Sequence, residues 1–544
     1  MRTRECIKWL WRASDGVRCR IVLNSIIGIL YVVSSLAFVW VCKGLVDIVT
    51  SGTSESLTFH IICMASCLLL QVVLTAVEQR VTNYSDIQLK NSLRHSLFKR
   101  LMESRWNGKE NFHTGDTLNR VMEDVRVVSE SVTKSVPSVV VAVVQFAAAF
   151  LFLFSLAPGL AWAIPGIMLV ALLISRSYIS RMRKLTKDIR TVEGNMQAHM
   201  QESLQHRLVI HTLERTPYVS DTLAGQQEEL RGQVMNKTGY SIFARALIQI
   251  GFSAGYAAAF LWGVFGIKSG AATFGMMTAF LQLVGQLQRP IMNLSRQVSP
   301  LINSLTSAER LSEIEAQPLE ETGESCWLGE SVGVRFCGVD YAYPDGGRKI
   351  LCDFTHDFIP GTTTALLGET GAGKSTLMRL MLGLLSPNKG DVSLYGSGTA
   401  VVPASAATRC NIVYVPQGNT LMSGTIRENL LLGDPDASDE MLADALYLAA
   451  ADFVADLPDG LDTLCGEKGS GLSEGQAQRI CIARSLLRKG GLLLLDEPTS
   501  ALDTETEELL LTRLTSNLGG RTMIIVTHRT ATADLCNFKL KISC

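Results

Sequence analysis

The chain has 544 residues, 47 % of them hydrophobic and 19 % charged, with a net charge of −1 at pH 7. Soluble domains carry about 25 % charged residues, so this balance argues against an ordinary soluble protein, and the near-zero charge gives no support to a nucleic-acid partner. The thirteen cysteines lack metal-ligand spacing, and the close pair Cys63 and Cys67 lies inside an apolar run. They read as reduced, small apolar residues.

The chain opens on a basic segment that alternates charge and bulk. It reads as an amphipathic helix on a membrane surface, with Ile7, Leu10 and Trp11 on one side and Arg2, Arg4, Lys8 and Arg12 toward headgroups. The alternative is an unstructured basic start. The apolar stretch that follows is too long for a signal peptide.

Six segments then contain no Asp, Glu, Lys or Arg: 21–42, 59–77, 136–156, 156–175, 246–267 and 269–288. A helix needs about 20 such residues to cross a bilayer, so each predicts a spanning helix. Lys and Arg concentrate before the first segment and in the connections 78–135 and 176–245, while the short loops near 48–58, 157–159 and 268–270 carry only Lys268. Both termini and both long connections are therefore expected on the cytoplasmic side. From 78 to 105 there is no Pro or Gly, so segment two is expected to continue as a helical stalk, and 176–190 likewise after segment four. His113 and His211 each have an acid three residues on but no second His or Cys at helical spacing, which favours solvated or capping roles over metal ligation.

A Pro/Gly/Glu-rich stretch at 316–332 reads as a linker between a membrane domain, 1–315, and a second domain, 333–544. Beyond it, short apolar runs alternate with helical patterns, the mark of an α/β domain. Gly368-Glu369-Thr370-Gly371-Ala372-Gly373-Lys374-Ser375 fits G-x4-G-K-[ST], with strand pattern over 363–367 and helix pattern over 376–385. Such a loop wraps backbone N–H groups around a phosphate at a helix N-terminus. Lys374 would reach the β- and γ-phosphates, and the Ser375 hydroxyl would bind Mg²⁺. The apolar run 492–495 ends in Asp496-Glu497. An acid there can hold the metal and the next can activate an attacking water.

At this point the second domain resembles the nucleotide-binding domain of ATP-binding cassette transporters. Leu472-Ser473-Glu474-Gly475-Gln476 is similar to the family signature, with Glu474 in place of its first glycine. Val415-Pro416-Gln417, Ser500-Ala501-Leu502-Asp503, and His528 after the strand pattern 523–526 match further family motifs in the family's order. Tyr343 matches the aromatic that stacks on adenine, and Gly466-Glu467-Lys468-Gly469 resembles the loop that touches coupling helices. The membrane half resembles the export-type transmembrane domain. Its first coupling-helix region would fall at 112–125, and the second near 210–214.

The resemblance implies a fold of six membrane helices followed by an α/β P-loop cassette. It implies an ATPase using ATP and Mg²⁺, with Glu497, His528 and Gln417 as catalytic residues. The expected nucleotide contacts are Tyr343, Gly368, Glu369, Thr370, Gly371, Ala372, Gly373, Lys374, Ser375 and Thr376, completed by Ser473, Gly475 and Gln476 of a second chain. Ser375, Gln417 and Asp496 would hold the metal. The partner would be a second copy or a related half-transporter in the bilayer of a bacterial inner membrane. The implied function is ATP-driven export of an amphipathic or hydrophobic molecule, peptide or lipid; the alternatives are a lipid flippase and an ATP-gated regulator or channel. Family cassettes run on through another strand and helix beyond the sixteen residues that follow His528 here, so an exposed apolar edge is expected at that end. Gln282 and Gln286 share a helix face, suiting either helix–helix hydrogen bonds or a cargo contact.

Overall fold

In the computed structural model, residues 3–51, 56–106, 114–321, 323–343, 349–369, 371–398, 401–466 and 471–542 are described. They form two units, Met1–Phe98 with Gly115–Glu315, and Lys99–Thr114 with Ala316–Cys544.

The first unit is all helical. A short helix α1 (Thr3–Ala13) precedes α2 (Arg18–Ser51) and α3 (Leu57–Glu103). A continuous helical run follows: α4 (Thr114–Asn119), a π turn (Arg120–Asp124), α5 (Val125–Glu130), a second π turn (Ser131–Ser135) and α6 (Val136–Leu156). Helices α7 (Pro158–Gln205), α8 (Arg207–Thr212), α9 (Thr216–Lys268) and α10 (Phe274–Glu315) complete it. The six expected membrane segments fall on α2, α3, α6, α7, α9 and α10. The sixth begins later than expected, because Ser269–Thr273 forms the turn between α9 and α10. Among the described residues, α2, α3, the run ending in α6, and the end of α9 are long and apolar enough to cross a membrane.

Several of these helices extend far past their apolar stretches. Helix α3 has 47 residues and α7 has 48, about 70 Å each at 1.5 Å per residue. Small apolar residues bring the apolar stretches together: Ala149, Ala161, Ala259 and Ala279 are fully buried around Phe280, Leu283 and Leu287. The polar extensions are held by buried hydrogen bonds instead. Ser129 Oγ donates to Asp86 Oδ1 (2.7 Å), Ser131 Oγ to Ser304 Oγ (3.0 Å) and Ser307 Oγ to Asp124 Oδ1 (2.8 Å).

Two expectations about this unit change and one open alternative is narrowed. In α1 the buried side chains are Cys6 and Trp9, whose indole donates to Glu315 (2.7 Å), while Ile7 and Trp11 are exposed; packing on α10 selects a face that the apolar periodicity alone does not. On the Gln282–Gln286 face, Gln286 Nε2 donates to Ser35 Oγ (2.8 Å), the helix–helix alternative, and nearby Gln288 Nε2 donates to Phe252 O (3.0 Å). Of the expected first coupling region, Phe112 and His113 lie outside the described residues, and Val121, Asp124 and Val125 are buried within the helical run. The preceding segment is the one that joins the second unit: Arg105 N donates to Pro318 O (2.9 Å), and Arg379 lies over the Trp106 ring (4.9 Å).

The second unit carries two main sheets. Strands β1 (Val332–Tyr341), β2 (Leu351–Phe358), β4 (Lys389–Gly396) and β5 (Val402–Pro403) form an antiparallel sheet in the order β2-β1-β4-β5. Strands β3 (Thr363–Leu367), β6 (Ile412–Val415), β9 (Leu492–Asp496), β10 (Thr522–Val526) and β11 (Phe538–Lys541) form a parallel sheet in the order β11-β3-β10-β9-β6. A small hairpin-like pair joins β7 (Gly424–Thr425) and β8 (Leu464–Cys465). Around the sheets lie α11 (Lys374–Met381), α12 (Ile426–Leu431), α13 (Asp439–Leu448), α14 (Glu474–Leu486), α15 (Thr504–Ser516) and α16 (Thr530–Asp534). Strands β3, β9 and β10 are almost wholly buried Leu, Ile, Val, Ala and Thr, as a parallel sheet covered on both faces requires.

The residues after His528 already form a helix and a strand. Strand β11 pairs with β3 and buries Ile542 just beyond its end, while Lys539 and Lys541 stand exposed. The edge thus mixes the expected apolar bulk, Phe538 and Leu535 both being exposed, with two lysines, and lysine on an edge strand opposes further strand addition. Residues 316–331 are also not a bare linker: Leu328 is buried in the cassette core and its N–H donates to Asn411 Oδ1 (2.7 Å).

Candidate active site

The loop Gly368–Gly373 connects the end of β3 to α11, and its shape depends on glycine. Gly371 and Gly373 have φ of +87° and +94°, and a Cβ on Gly373 would meet Ile350 Cγ2 at 2.7 Å. Any other residue there would be strained and would clash. Gly373 then caps a helix that begins at Lys374, two residues earlier than the pattern suggests. This turns the first backbone N–H groups of α11 toward the loop. Thr370 lies outside the described residues.

A cavity of about 480 Å³ is lined by Tyr343, Ile350, Gly371, Gly373, Lys374, Ser375, Thr376, Gln417, Glu497 and His528. Lys374 is buried, and its ammonium donates to the carbonyls of Gly368 (2.7 Å) and Glu369 (3.1 Å). Ser375 Oγ donates to Asp496 Oδ2 (3.2 Å). Burial pushes the Asp496 carboxyl up; the Ser375 hydrogen bond opposes this and the neighbouring Glu497 adds to it. Tyr343 Oη lies 3.3 Å from Thr376 Oγ1 and accepts from Arg379 (3.2 Å).

Glu497 sits between two other predicted residues. Gln417 Nε2 donates to its Oε2 (2.7 Å), and His528 Nε2 lies 3.0 Å from its Oε1. His528 is also 3.3 Å from Lys374 Nζ. Glu497 has φ +47°, a left-handed conformation that costs energy outside glycine. Its N–H bonds Val526 O (3.2 Å), so the neighbouring strand fixes the turn that aims the carboxylate into the cavity.

The signature residues lie elsewhere. Ser473 caps α14, its hydroxyl accepting from Gln476 N while Gln476 Oε1 accepts from Ser473 N. Gly475 packs so close to Ala501 O that a Cβ would come within 2.7 Å. Ser473, Gly475 and Gln476 are not among the residues that line the cavity. Glu474 is the first helical residue and exposed, a position where the helix dipole favours an acid. Glu467, Lys468 and Gly469 lie outside the described residues.

Three residues around the site escaped sequence reasoning. Gln478 is buried; its amide donates to Glu497 O (3.1 Å) and accepts from Ala501 N (3.3 Å). Glu507 is buried and accepts from Thr499 (2.9 Å), Thr532 (2.7 Å) and Arg529. It thereby ties the segment after Glu497 to the segment after His528. Arg379 holds the Tyr343 hydroxyl. The sequence offers no local signal for any of them, because their partners are distant along the chain.

Hard oxygen donors, a hydroxyl and a carboxylate side by side, suit Mg²⁺ better than a softer metal. The arrangement as a whole can cradle a polyphosphate and place a carboxylate beside it.

The family model for the ABC transporter transmembrane region matches residues 21–291, and the model described as ABC transporter matches 351–500. The chain is 31 % identical over 468 residues to an ATP-dependent lipid A-core flippase of Pseudomonas fluorescens, covering 82 % of this chain and 75 % of the relative. It is 28 % identical over 489 residues to the uncharacterized ABC transporter ATP-binding protein YknV of Bacillus subtilis, covering 89 % and 80 %. The fold also matches a bacterial Atm1-family ABC exporter solved with ATP bound, at a TM-score of 0.82 and 23 % identity over 97 % of this chain and 94 % of that one. The chain therefore belongs to the ATP-binding cassette transporter family, as an integral-membrane half-transporter of export type that binds ATP and couples its hydrolysis to transport.

Proposed function

We propose that two copies of this chain form a homodimer that exports an amphipathic or hydrophobic substrate, with two ATP sites that each draw on both chains. The carrying observation is the split in the site. Lys374, Ser375, Gln417, Glu497 and His528 converge on one cavity, while Ser473, Gly475 and Gln476 cap a helix outside its lining. A second chain would bring its α14 N-terminus to the phosphates, adding helix-dipole and N–H stabilisation. A related half-transporter could take the same place. The exposed apolar tip formed by Leu208 and Val209 on α8 and Leu213 just after it is a surface that a second chain would cover.

In this reading Lys374 exchanges two neutral carbonyl acceptors for phosphate oxygens, a stronger, charge-assisted pairing. Ser375 and Asp496 would hold Mg²⁺, with Gln417 completing the site. The metal supplies neutralisation of the phosphate charge. Glu497 accepts a proton from the attacking water, and Gln417 and His528 hold its two oxygens in line. His528 lies close enough to Lys374 to donate toward the transferring phosphoryl group. Both termini face the cytoplasm of a bacterial cell whose inner membrane holds the protein. The uncharged membrane segments favour an apolar or amphipathic cargo; a lipid flippase is a variant of that reading, in keeping with the flippase relative.

Glu497→Gln tests the hydrolytic role. It keeps size and hydrogen bonding but removes the base, so ATP binding should persist while turnover falls by about 10²-fold or more. Wild-type turnover in this variant, measured in lipid nanodiscs, would place the hydrolytic base elsewhere.

A further inference from the structure

Resting on the export reading, we infer that the cavity between α2, α3 and α6 holds the headgroup of a cationic amphiphile, whose tail lies along the adjoining groove of α2 and α3. The cavity has about 480 Å³ and lies where these helices leave their apolar stretches; Asn24, Glu78, Gln79, Thr82, Lys134 and Gln145 are among its lining residues. A more open groove of about 560 Å³ shares Tyr31, Thr75 and Gln79 with it and adds Leu68, Val72 and Ala76. Polar and apolar compartments therefore meet along one side of the same helix pair.

The polar compartment holds one buried acceptor and one acid that lack a partner among the described residues. Asn24 is only 4 % exposed; its Nδ2 donates to Thr82 Oγ1 (2.9 Å), but its Oδ1 accepts from no described residue. Such a buried acceptor costs free energy until a donor reaches it. Glu78 forms no hydrogen bond or ion pair with any described residue. Lys134 also lines the cavity, but its ammonium lies 3.7 Å from Asp86, which also binds Lys90 (2.8 Å). Lys90 is in turn 3.5 Å from Glu130, which pairs with Arg126. Arg126 also pairs with Glu123, so three cations face three acids in that network and Glu78 is left as the unmatched acid. A primary ammonium would donate to both Glu78 and Asn24 Oδ1. An anionic head would meet Glu78 with like charge, and a neutral one would leave the carboxylate unpaired.

The groove supplies the second half of the recognition. Leu68, Val72 and Ala76 stand four apart and share one face of α3, so an alkyl chain can follow them into the apolar stretch. Gln71 Nε2, which donates to no partner among the described residues, marks the polar limit of that path.

The test uses the full-length protein in nanodiscs of zwitterionic lipid, with a photoactivatable twelve-carbon primary amine as probe. Competition by the matched alcohol and alkyl sulfate reports headgroup preference, and mass spectrometry reports the labelled residues. In the wild type the label should fall on residues 24–31 and 68–82, and the amine should compete about ten- to a hundredfold better than the alcohol. Glu78→Gln should weaken the amine by a similar factor and leave the alcohol's affinity alone. Glu78→Lys should reverse the preference toward the alkyl sulfate, a gain that misfolding cannot produce. Label mapping to other helices, or an amine affinity indifferent to Glu78→Gln and Glu78→Lys, overturns the assignment. Export itself is read separately, as ATP-dependent transfer of fluorescent amphiphiles in vesicles. Its presence beside a failed mapping would sink only the site, while its absence for every headgroup would sink the transport reading.

Discussion

In α3 only 6 % of the most apolar window is buried, whereas every residue of β9 is buried. Leu69 is 69 % exposed in the first and Leu494 fully buried in the second. The same side chain is thus exposed in one unit of the single chain and enclosed by protein in the other. The polar residues divide in the opposite sense. In the helical extensions Ser129, Ser131, Thr133 and Asp124 are buried as the glue between helices, while the cassette gathers Lys374, Ser375, Glu497 and His528 around an accessible cavity. Apolarity alone therefore says nothing about burial until the solvent is known, and in a membrane unit the buried polar residue is the more informative one.

The largest expected contrast comes from one substitution made in both units. Leu494→Ala removes a fully buried side chain from the parallel sheet and should lower cassette stability by about 2–5 kcal/mol. Leu69→Ala should change stability in lipid by within about 0.5 kcal/mol. Thermal unfolding in nanodiscs with a cassette-specific probe measures both. Equal losses would mean that α3 is packed against protein in the assembled transporter.

A smaller effect is expected where the cassette borrows the membrane unit's device of buried polar bonding. Glu507→Gln keeps the shape but weakens the bonds from Arg529, Thr499 and Thr532, and should cost about 1–3 kcal/mol. Because those partners follow Glu497 and His528 in the chain, turnover should fall with stability. A variant with lower stability and normal turnover would make Glu507 a packing residue only.

The smallest effect concerns pH. The Arg409 hydrogen bonds hold the Glu320 carboxyl below its usual range. A depressed pKa in the folded state contributes stability above the unfolded value of about 4.3, and that contribution is lost as pH falls below it. The pair is partly exposed, so the gain should stay under about 1 kcal/mol. The thermal midpoints of wild type and Glu320→Gln should stay apart from pH 7 to about pH 5 and converge as pH falls below about 4.3. A constant gap would assign the acid sensitivity to other carboxylates.

The two units also differed in how much their sequences revealed. Strand β3 spans the expected 363–367, and the cavity brings together Lys374, Ser375, Gln417, Glu497 and His528, because phosphate loops and buried parallel strands impose local rules on residue type. What remained hidden depends on distant partners. Gln478 and Glu507 are ordinary helix residues until the fold brings Ala501, Thr499 and Thr532 to them. In the membrane unit the spanning stretches were legible from length and charge. The π turns at 120–124 and 131–135 were not, nor was the face of α1 that packs on α10, since helix-to-helix contacts choose them. The strand β11 and its lysines were missed because four residues, Phe538–Lys541, alternate too briefly to separate strand from loop.

The central proposal is that each ATP site is built by two chains, and one heterodimer tests it most directly. A Lys374→Ala chain and a Ser473→Ala chain carry different tags, and only dimers holding both are purified. If the sites are shared, both lesions fall in the same site and the other is wild type. Vanadate trapping should then retain one nucleotide per heterodimer, and none in the Lys374→Ala homodimer. Loss of trapping at both sites of the heterodimer would mean that each chain completes its own site, contradicting the shared-site reading.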